Sequence, residues 1–106
     1  MAKSGKANHG DSVGWTPLHR AICNGHFDVF KLIFEQVENK NPPDRDGFTP
    51  LHIAAYRAKL DFCKYIIEQV ENKSPTNRYG KTPRDLAIEL NRYQIVQLFD
   101  EFNTRI

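Results

Sequence analysis

The sequence of 106 residues lacks several features that whole classes of protein require. It holds two cysteines, Cys23 and Cys63, and without an export signal they are not expected to form a disulfide. No apolar run has the length of a signal peptide or a membrane span, so membrane insertion is not expected. We therefore expect an intracellular protein, cytoplasmic or nuclear, whose two thiols are reduced and part of the packing.

A strong charge of one sign is also missing. The 15 basic and 13 acidic side chains leave a formal net charge of +2, which does not by itself indicate nucleic-acid binding. No glycine-rich phosphate loop, paired acidic motif or cofactor fingerprint occurs, so no cofactor is expected. Hydrophobic residues make up 40% of the chain, which is enough for the core of one small domain.

An internal repeat organises most of the chain. The pairs Thr16-Pro17, Thr49-Pro50 and Thr82-Pro83 follow one another at a spacing of 33 residues. Residues 14–46 match residues 47–79 at 17 of 33 positions, including the block EQVENK, whereas residues 80–106 match the second unit at only five. The first two units are therefore true repeats, and the third is a diverged one.

Each unit predicts a turn followed by two helices. Glycines at the same spacing close the turns, and threonines are predicted as N-caps with proline at the first helical position. These structural residues are Gly14, Gly47, Gly80, Thr16, Thr49 and Thr82. Gly25 ends the first helix, an apolar stripe from Phe27 predicts the second, and Pro42 stops the chain after it.

The pattern Gly-x-Thr-Pro-Leu-His-x-Ala at this period resembles the ankyrin repeat family, and the resemblance covers residues 11 to about 103. It implies an all-α solenoid of stacked helix-turn-helix units with protruding β-turn loops. The implied repeats are 11–43, 44–76 and 77–106, in one domain that follows a flexible tail at 1–10. Asp100 takes the position of Phe34 and Ile67, so the third repeat is expected to be a polar C-terminal cap.

The chain departs from the family pattern in two places. Ala58 replaces the helix-ending glycine in the second unit, and we expect it to keep the strained left-handed conformation. The second helices lack the usual Gly-Ala-Asp ending, so we expect each to run about a turn longer, with Asn39 and Asn72 as left-handed caps. The EQVENK block is then the solvated end of a helix.

The outer face of the first unit is predicted to be partly bare, since no helix-forming segment precedes Asp11. Phe30 and Phe34 are expected to leave an exposed apolar patch there. We therefore expect a monomer, or a weak dimer that pairs through the first repeat.

His19 and His52 occupy equivalent positions in two units, and Asp85 takes this position in the third. A catalytic residue seldom recurs in every repeat, whereas a structural one does, because each repeat has the same joint to hold. The resemblance implies that this histidine ties the Thr-Pro turn to its helix by hydrogen bonds. We therefore interpret His19 and His52 as structural.

Other chemistry is poorly supported by the sequence. His19 and Cys23 lie four apart on one helix, but no second pair follows at zinc-site spacing, so no metal site is expected. Cys63 lies in the apolar stripe, and Cys23 has no neighbouring base for nucleophilic catalysis. We expect no enzymatic activity from this chain.

A protein-binding surface is implied by the resemblance, because ankyrin repeats typically bind proteins through turn tips and the exposed side of their first helices, the concave face. Aromatic residues and arginine, which dominate interface energetics, are frequent at these positions. The predicted binding residues are Val13, Trp15, Cys23, Arg45, Asp46, Phe48, Tyr56, Arg57, Arg78, Tyr79 and Lys81. The predicted partner is a protein segment of acidic and apolar character.

Three functions remain open at this stage. The first is a non-catalytic adaptor or scaffold module. Within it, Trp15 and Phe48 would be structural residues and not binding residues if their rings pack on the neighbouring turn. The second is nucleic-acid binding, since basic and aromatic residues interleave, although the net charge and Asp46 weigh against it. The third is an ankyrin array detached from a larger multidomain protein or enzyme.

Overall fold

The computed structural model describes residues 14–103, and this part of the chain forms six α-helices. They come as three pairs, one in each predicted repeat. The bounds are α1 Pro17–Asn24, α2 Phe27–Gln36, α3 Pro50–Tyr56, α4 Leu60–Gln69, α5 Pro83–Glu89 and α6 Tyr93–Asn103. The predicted flexible tail at 1–10 lies outside the described residues.

The pairs stack side by side. The first helices α1, α3 and α5 pack against one another in sequence, and each also packs against the second helix of its own unit. Helix α4 packs against α6 in a second row. The prediction of an all-α solenoid of helix-turn-helix units is confirmed.

The first helices begin as their sequences dictate. Each has threonine as the N-cap in extended conformation and proline in the first turn. The Thr49 hydroxyl accepts from the His52 backbone N–H at 3.2 Å, and the Thr82 hydroxyl accepts from the Asp85 N–H at 3.0 Å. These bonds satisfy amide groups that have no partner within the helix.

The first helices also end alike. A left-handed residue follows each first helix, directly after α1 at Gly25 (φ 74°) and two residues after α3 and α5 at Ala58 (φ 57°) and Asn91 (φ 58°). In the second unit the Lys59 N–H then donates to the Ala54 carbonyl at 2.8 Å, and the other two units make the same bond. The prediction that Ala58 keeps the left-handed conformation is confirmed.

The predicted extension of the second helices is wrong. Helices α2 and α4 end at Gln36 and Gln69, the next residue is extended, and neither Asn39 nor Asn72 is left-handed. Each asparagine side chain instead accepts from the backbone N–H two residues on, at 3.1 and 3.0 Å. Such a local turn competes with helical hydrogen bonding, which explains the earlier stop.

A lysine side chain caps the C-terminal end of each of these two helices. Lys40 Nζ donates to the carbonyls of Phe34 and Val37 at 2.5 and 2.9 Å, and Lys73 Nζ donates to the Val70 carbonyl at 2.6 Å. The ammonium group therefore satisfies terminal carbonyls that would lack helical partners. The EQVENK block is thus a helix-ending motif as well as a solvated segment.

The core lies between the two rows of helices, and the expected exposure of Phe30 and Phe34 is wrong. Both rings are buried, because they face the second unit and contact Tyr65 with centroid separations of 6.1 and 5.1 Å. The exposed apolar residues of α2 are Val29 at 47% and Leu32 at 62%. Phe30 and Phe34 of α2 therefore face the second unit, whereas Val29 and Leu32 are exposed to solvent.

Candidate protein-binding surface

The turns between units are built by one acidic or amide side chain each. Asp44 Oδ1 accepts from the backbone N–H groups of Asp46 and Phe48, at 2.8 and 2.9 Å. Asn77 Oδ1 makes the equivalent bonds in the next turn, at 2.9 and 3.0 Å. The Gly47 N–H donates to the Asp44 carbonyl at 3.0 Å, which closes the turn.

Neighbouring turns are joined to each other. The Arg78 N–H donates to the Asp46 carbonyl at 2.9 Å, and the Arg78 side chain forms an ion pair with the Asp46 carboxylate at the same distance. Gly47 allows this approach, because a Cβ there would lie 2.9 Å from Asn77 Cα. The turns therefore form a continuous edge instead of separate loops.

His19 and His52 each connect their own first helix, α1 or α3, to two turns. The Thr49 N–H donates to His52 Nδ1 at 3.1 Å, so this nitrogen is an acceptor and the proton lies on Nε2. Nε2 then donates to the Lys81 carbonyl at 2.8 Å, in the next repeat. His19 makes the same contacts, from the Thr16 N–H at 3.1 Å and to the Phe48 carbonyl at 2.7 Å.

Burial holds His52 in its neutral form. It lowers the pKa of His52, while the hydrogen bond to Lys81 and the carboxylates of Asp44 and Asp85 act in the opposite direction. In the third unit Asp85 accepts from the Thr82 N–H at 3.0 Å, which preserves the bond to the Thr-Pro turn. Both ring nitrogens of His52 are thus engaged in hydrogen bonds within the protein.

Two of the predicted binding rings are part of the scaffold. Phe48 is only 6% exposed and lies against His52 and Tyr79, so the expected exposure of this ring is wrong. Trp15 is half-buried, stacks on His19 at 5.7 Å and donates its indole N–H to Asp44 Oδ2 at 3.1 Å. Each ring covers the neighbouring turn, which is the structural alternative for these positions.

Other predicted residues do face solvent. Tyr79 is 62% exposed and Tyr56 40% exposed, and Arg45, Arg57 and Arg78 are exposed as well. Lys81 pairs with Glu89, the last residue of α5, so the third turn and this helix end lie on one side of the unit. Cys23 is half-buried, and Val13 lies outside the described residues.

We call the exposed set Arg45, Tyr56, Arg57 and Tyr79 the turn-and-helix surface. The charge available on this surface depends on which basic side chains already form ion pairs within the protein. Arg78 pairs with Asp46 and Lys81 with Glu89, so two of the four predicted basic residues are engaged within the protein. Neither Arg45 nor Arg57 makes an ion pair with a carboxylate among the described residues. The surface therefore offers two exposed tyrosine rings and two guanidinium groups that have no carboxylate partner between residues 14 and 103.

The thiols are poorly suited to nucleophilic chemistry. Burial raises the pKa of the Cys23 thiol, although the nearby Arg57 and Lys59 act to lower it. Burial also raises the pKa of Cys63, which is fully enclosed in the core. Both groups are protonated at neutral pH, and the thiolate is the reactive form.

Between residues 14 and 103, no group of three potential metal ligands among His, Cys, Asp and Glu comes together. Within the same residues, no helix combines the length and the apolar character needed to cross a bilayer.

The contact between repeats was missed by sequence reasoning. The histidine was expected to tie the turn to its own helix, but its second nitrogen reaches the next turn, 29 residues along the chain. The bond from Trp15 to Asp44 spans the same interval. The histidines bind backbone carbonyls, which no residue pattern shows, so the only signal in the sequence was the spacing of Trp15 and Asp44.

Comparison with known families agrees with this geometry. A family model described as "Ankyrin repeats (3 copies)" matches residues 36–105, and one described as "Ankyrin repeat" matches residues 13–45. No curated protein matches the sequence.

Proposed function

Because this chain belongs to the ankyrin repeat family, we propose that it is an adaptor or scaffold module that binds a protein partner through the turn-and-helix surface. Ankyrin repeats are in general protein–protein interaction modules without catalytic activity. The proposal for this chain goes further, since it names a surface and the chemistry of the partner.

One observation carries the proposal. Among the aromatic and arginine side chains at turns and helix ends, the scaffold uses Trp15 and Phe48 for packing. It leaves Tyr79, Tyr56, Arg45 and Arg57 exposed. Tyrosine and arginine are the side chains most often found at the energetic centre of protein interfaces. Stability of the fold does not account for their exposure.

The partner is expected to be acidic and apolar. Arg45 and Arg57 lack carboxylate partners among the described residues, and a guanidinium group pairs best with a carboxylate in bidentate geometry. Tyr79 offers a ring on which an apolar side chain can pack. A protein segment with aspartate or glutamate near a hydrophobic residue fits both features.

Nucleic-acid binding is the less favoured function. Two of the four basic side chains at the predicted surface are already paired with Asp46 and Glu89. A nucleic-acid backbone would therefore meet acidic groups among the basic ones, whereas backbone binding requires an excess of free cations. A module belonging to a larger multidomain protein or enzyme would use the same surface.

The test is capture from a lysate of the source cell followed by mass spectrometry. The wild type is compared with Arg45→Glu/Tyr79→Ala and with the control Lys64→Glu/Tyr93→Ala, which makes the same kinds of change on exposed residues outside the surface. All three must show the same circular dichroism. A protein enriched by the wild type and the control but lost from the surface variant supports the proposal. A protein retained by all three would place the binding site elsewhere.

A further inference from the structure

Four positions in the sequence place a hydroxyl residue directly before proline. Three are the repeat threonines Thr16, Thr49 and Thr82, and the fourth is Ser74. A hydroxyl followed by proline is the minimal sequence that proline-directed serine/threonine kinases require. The sequence alone does not separate these four positions, but the structure does.

The three threonine hydroxyls are held by the fold. Each threonine is the N-cap of a first helix, and the hydroxyls of Thr16 and Thr49 lie 2.9 Å from a histidine Nδ1. The hydroxyl of Thr82 accepts from the Asp85 N–H at 3.0 Å. A phosphate at any of them would break the helix cap, and a kinase could reach them only after local unfolding.

Ser74 has different surroundings. It is exposed, and residues 70–77 between α4 and the third turn have no regular secondary structure. Its backbone N–H donates to Asn72 Oδ1 at 3.0 Å, whereas its hydroxyl makes no hydrogen bond with the described residues. Pro75 favours an extended backbone at Ser74, which is the form in which a peptide enters a kinase cleft.

We propose that Ser74 is a phosphorylation site for a proline-directed serine/threonine kinase, and that the fold protects the other three positions. Ser74 Oγ attacks the γ-phosphorus of ATP, the bond from this phosphorus to the bridging oxygen of ADP breaks, and the hydroxyl proton passes to the base of the kinase. The products are ADP and phosphoserine. ATP and the kinase are supplied by the cell.

The position gives the modification a local consequence. A phosphoserine carries about −1.5 to −2 charges at neutral pH and accepts strong hydrogen bonds from lysine. The neighbouring Lys73 Nζ is bound to the Val70 carbonyl at the end of α4. A phosphate at Ser74 competes with that carbonyl for the ammonium group, next to a groove of about 400 Å³ lined by Lys40 and Pro75.

The test is phosphorylation of the intact folded protein by a purified proline-directed kinase with ATP, with each site mapped by mass spectrometry. We expect phosphate at Ser74 at a rate at least about tenfold above that of any threonine, because reaching a capped threonine requires opening. Ser74→Ala should remove most of the incorporated phosphate. Pro75→Ala should do the same while it retains the hydroxyl.

Four synthetic peptides, each spanning one hydroxyl-proline pair, separate the effect of fold from that of sequence. The proposal is supported if the threonine peptides are phosphorylated while the same threonines stay unlabelled in the folded protein. Failure of the Ser74 peptide would overturn it, since the kinase would then not recognise the sequence. Comparable labelling of Thr16, Thr49 or Thr82 in the folded protein would also overturn it, as would an unlabelled Ser74 beside a labelled peptide.

Discussion

At the scale of single residues, His19 and His52 in the first two repeats are hydrogen-bonded links to the next unit. Its Nδ1 must be unprotonated to accept from the threonine N–H, and its Nε2–H must be present to reach the next turn. Protonation of Nδ1 would turn this acceptor into a donor that faces another donor. The neutral ring is therefore a condition for the joint, and the joint is sensitive to pH.

Stability should fall when the pH is lowered through the range in which His52 titrates. Its pKa is lowered in the folded state, so the unfolded chain, with a value near 6.5, binds the proton more readily. Stability then rises with pH, is complete above about 6.5 and is lost below it. Urea unfolding at pH 7.5 and 5.5 should show a lower free energy of unfolding at the lower pH.

His52→Asn provides the control for this pH effect. An amide oxygen can accept from the Thr49 N–H, as the Asp85 carboxylate does from Thr82, but the side chain does not titrate. The variant should be less stable than the wild type at pH 7.5, by about 1–3 kcal/mol. This difference should shrink at pH 5.5, and a difference that stays constant would contradict the assignment.

Ala58 and Gly25 form a matched pair at equivalent left-handed positions. Ala58→Gly should raise the free energy of unfolding by about 0.5–1 kcal/mol, because the relieved strain exceeds the added entropy of the unfolded chain. Gly25→Ala should lower it by a similar amount, and its Cβ would approach only Lys59 Nζ, at 3.8 Å. Thermal unfolding followed by circular dichroism tests both, and changes of the same sign in the two variants would exclude backbone strain as the cause.

At the scale of helices, the EQVENK block determines where the second helices end. The asparagine turn and the lysine cap replace the longer helix that the sequence pattern suggested. Helical periodicity does not distinguish a residue that continues a helix from one whose side chain ends it, and only the observed contacts do so. The error was confined to the last turn, and the packing of α2 and α4 was unaffected.

Lys40→Met should lower the free energy of unfolding by about 1 kcal/mol, because it removes two hydrogen bonds to the end of α2. Lys73→Met should cost less, since one bond is lost there. Lys64→Met, on the exposed side of α4, is the control and should change stability by less than about 0.5 kcal/mol. Equal effects for all three in urea unfolding would mean that loss of charge, and not the cap, is responsible.

At the scale of the whole molecule, the two ends of the described stack are chemically different. Arg84 and Asp100 form an ion pair with N–O distances of 2.8 and 3.3 Å. In the second repeat the equivalent positions are the buried Leu51 and Ile67, which face the next unit. The opposite end presents Val29 and Leu32, at positions equivalent to residues of α4 that contact the preceding unit. The ion pair therefore prevents the third unit from offering the surface that would fit the first.

Restoring that surface should cause association. Arg84→Leu/Asp100→Ile should produce a head-to-tail contact with the Val29 and Leu32 end of another copy, and such contacts extend without closing. Sedimentation velocity should show particle sizes that grow with protein concentration, and adding Leu32→Lys should reverse the growth. A double variant that sediments like the wild type at every concentration would show that the two ends do not fit.

How much the sequence predicted depends on whether a residue acts within one unit or between units. Repeat period, helix pairs, threonine caps and the strained Ala58 follow from local patterns, and all are found in the structure. Burial of Phe48 and Phe30 depends on the neighbouring unit, and there the sequence interpretation was wrong. Sequence position indicates the side of a helix, but not which ring of an adjacent repeat covers it.

The most direct test of the central claim is isothermal titration calorimetry of the captured protein with the wild type and the two double variants, which gives a dissociation constant for each. We predict that Arg45→Glu/Tyr79→Ala weakens binding at least tenfold, or about 1.4 kcal/mol, because it removes a ring and reverses a charge at the interface. The control Lys64→Glu/Tyr93→Ala should bind like the wild type. Equal dissociation constants for all three would contradict the assignment of binding to the turn-and-helix surface.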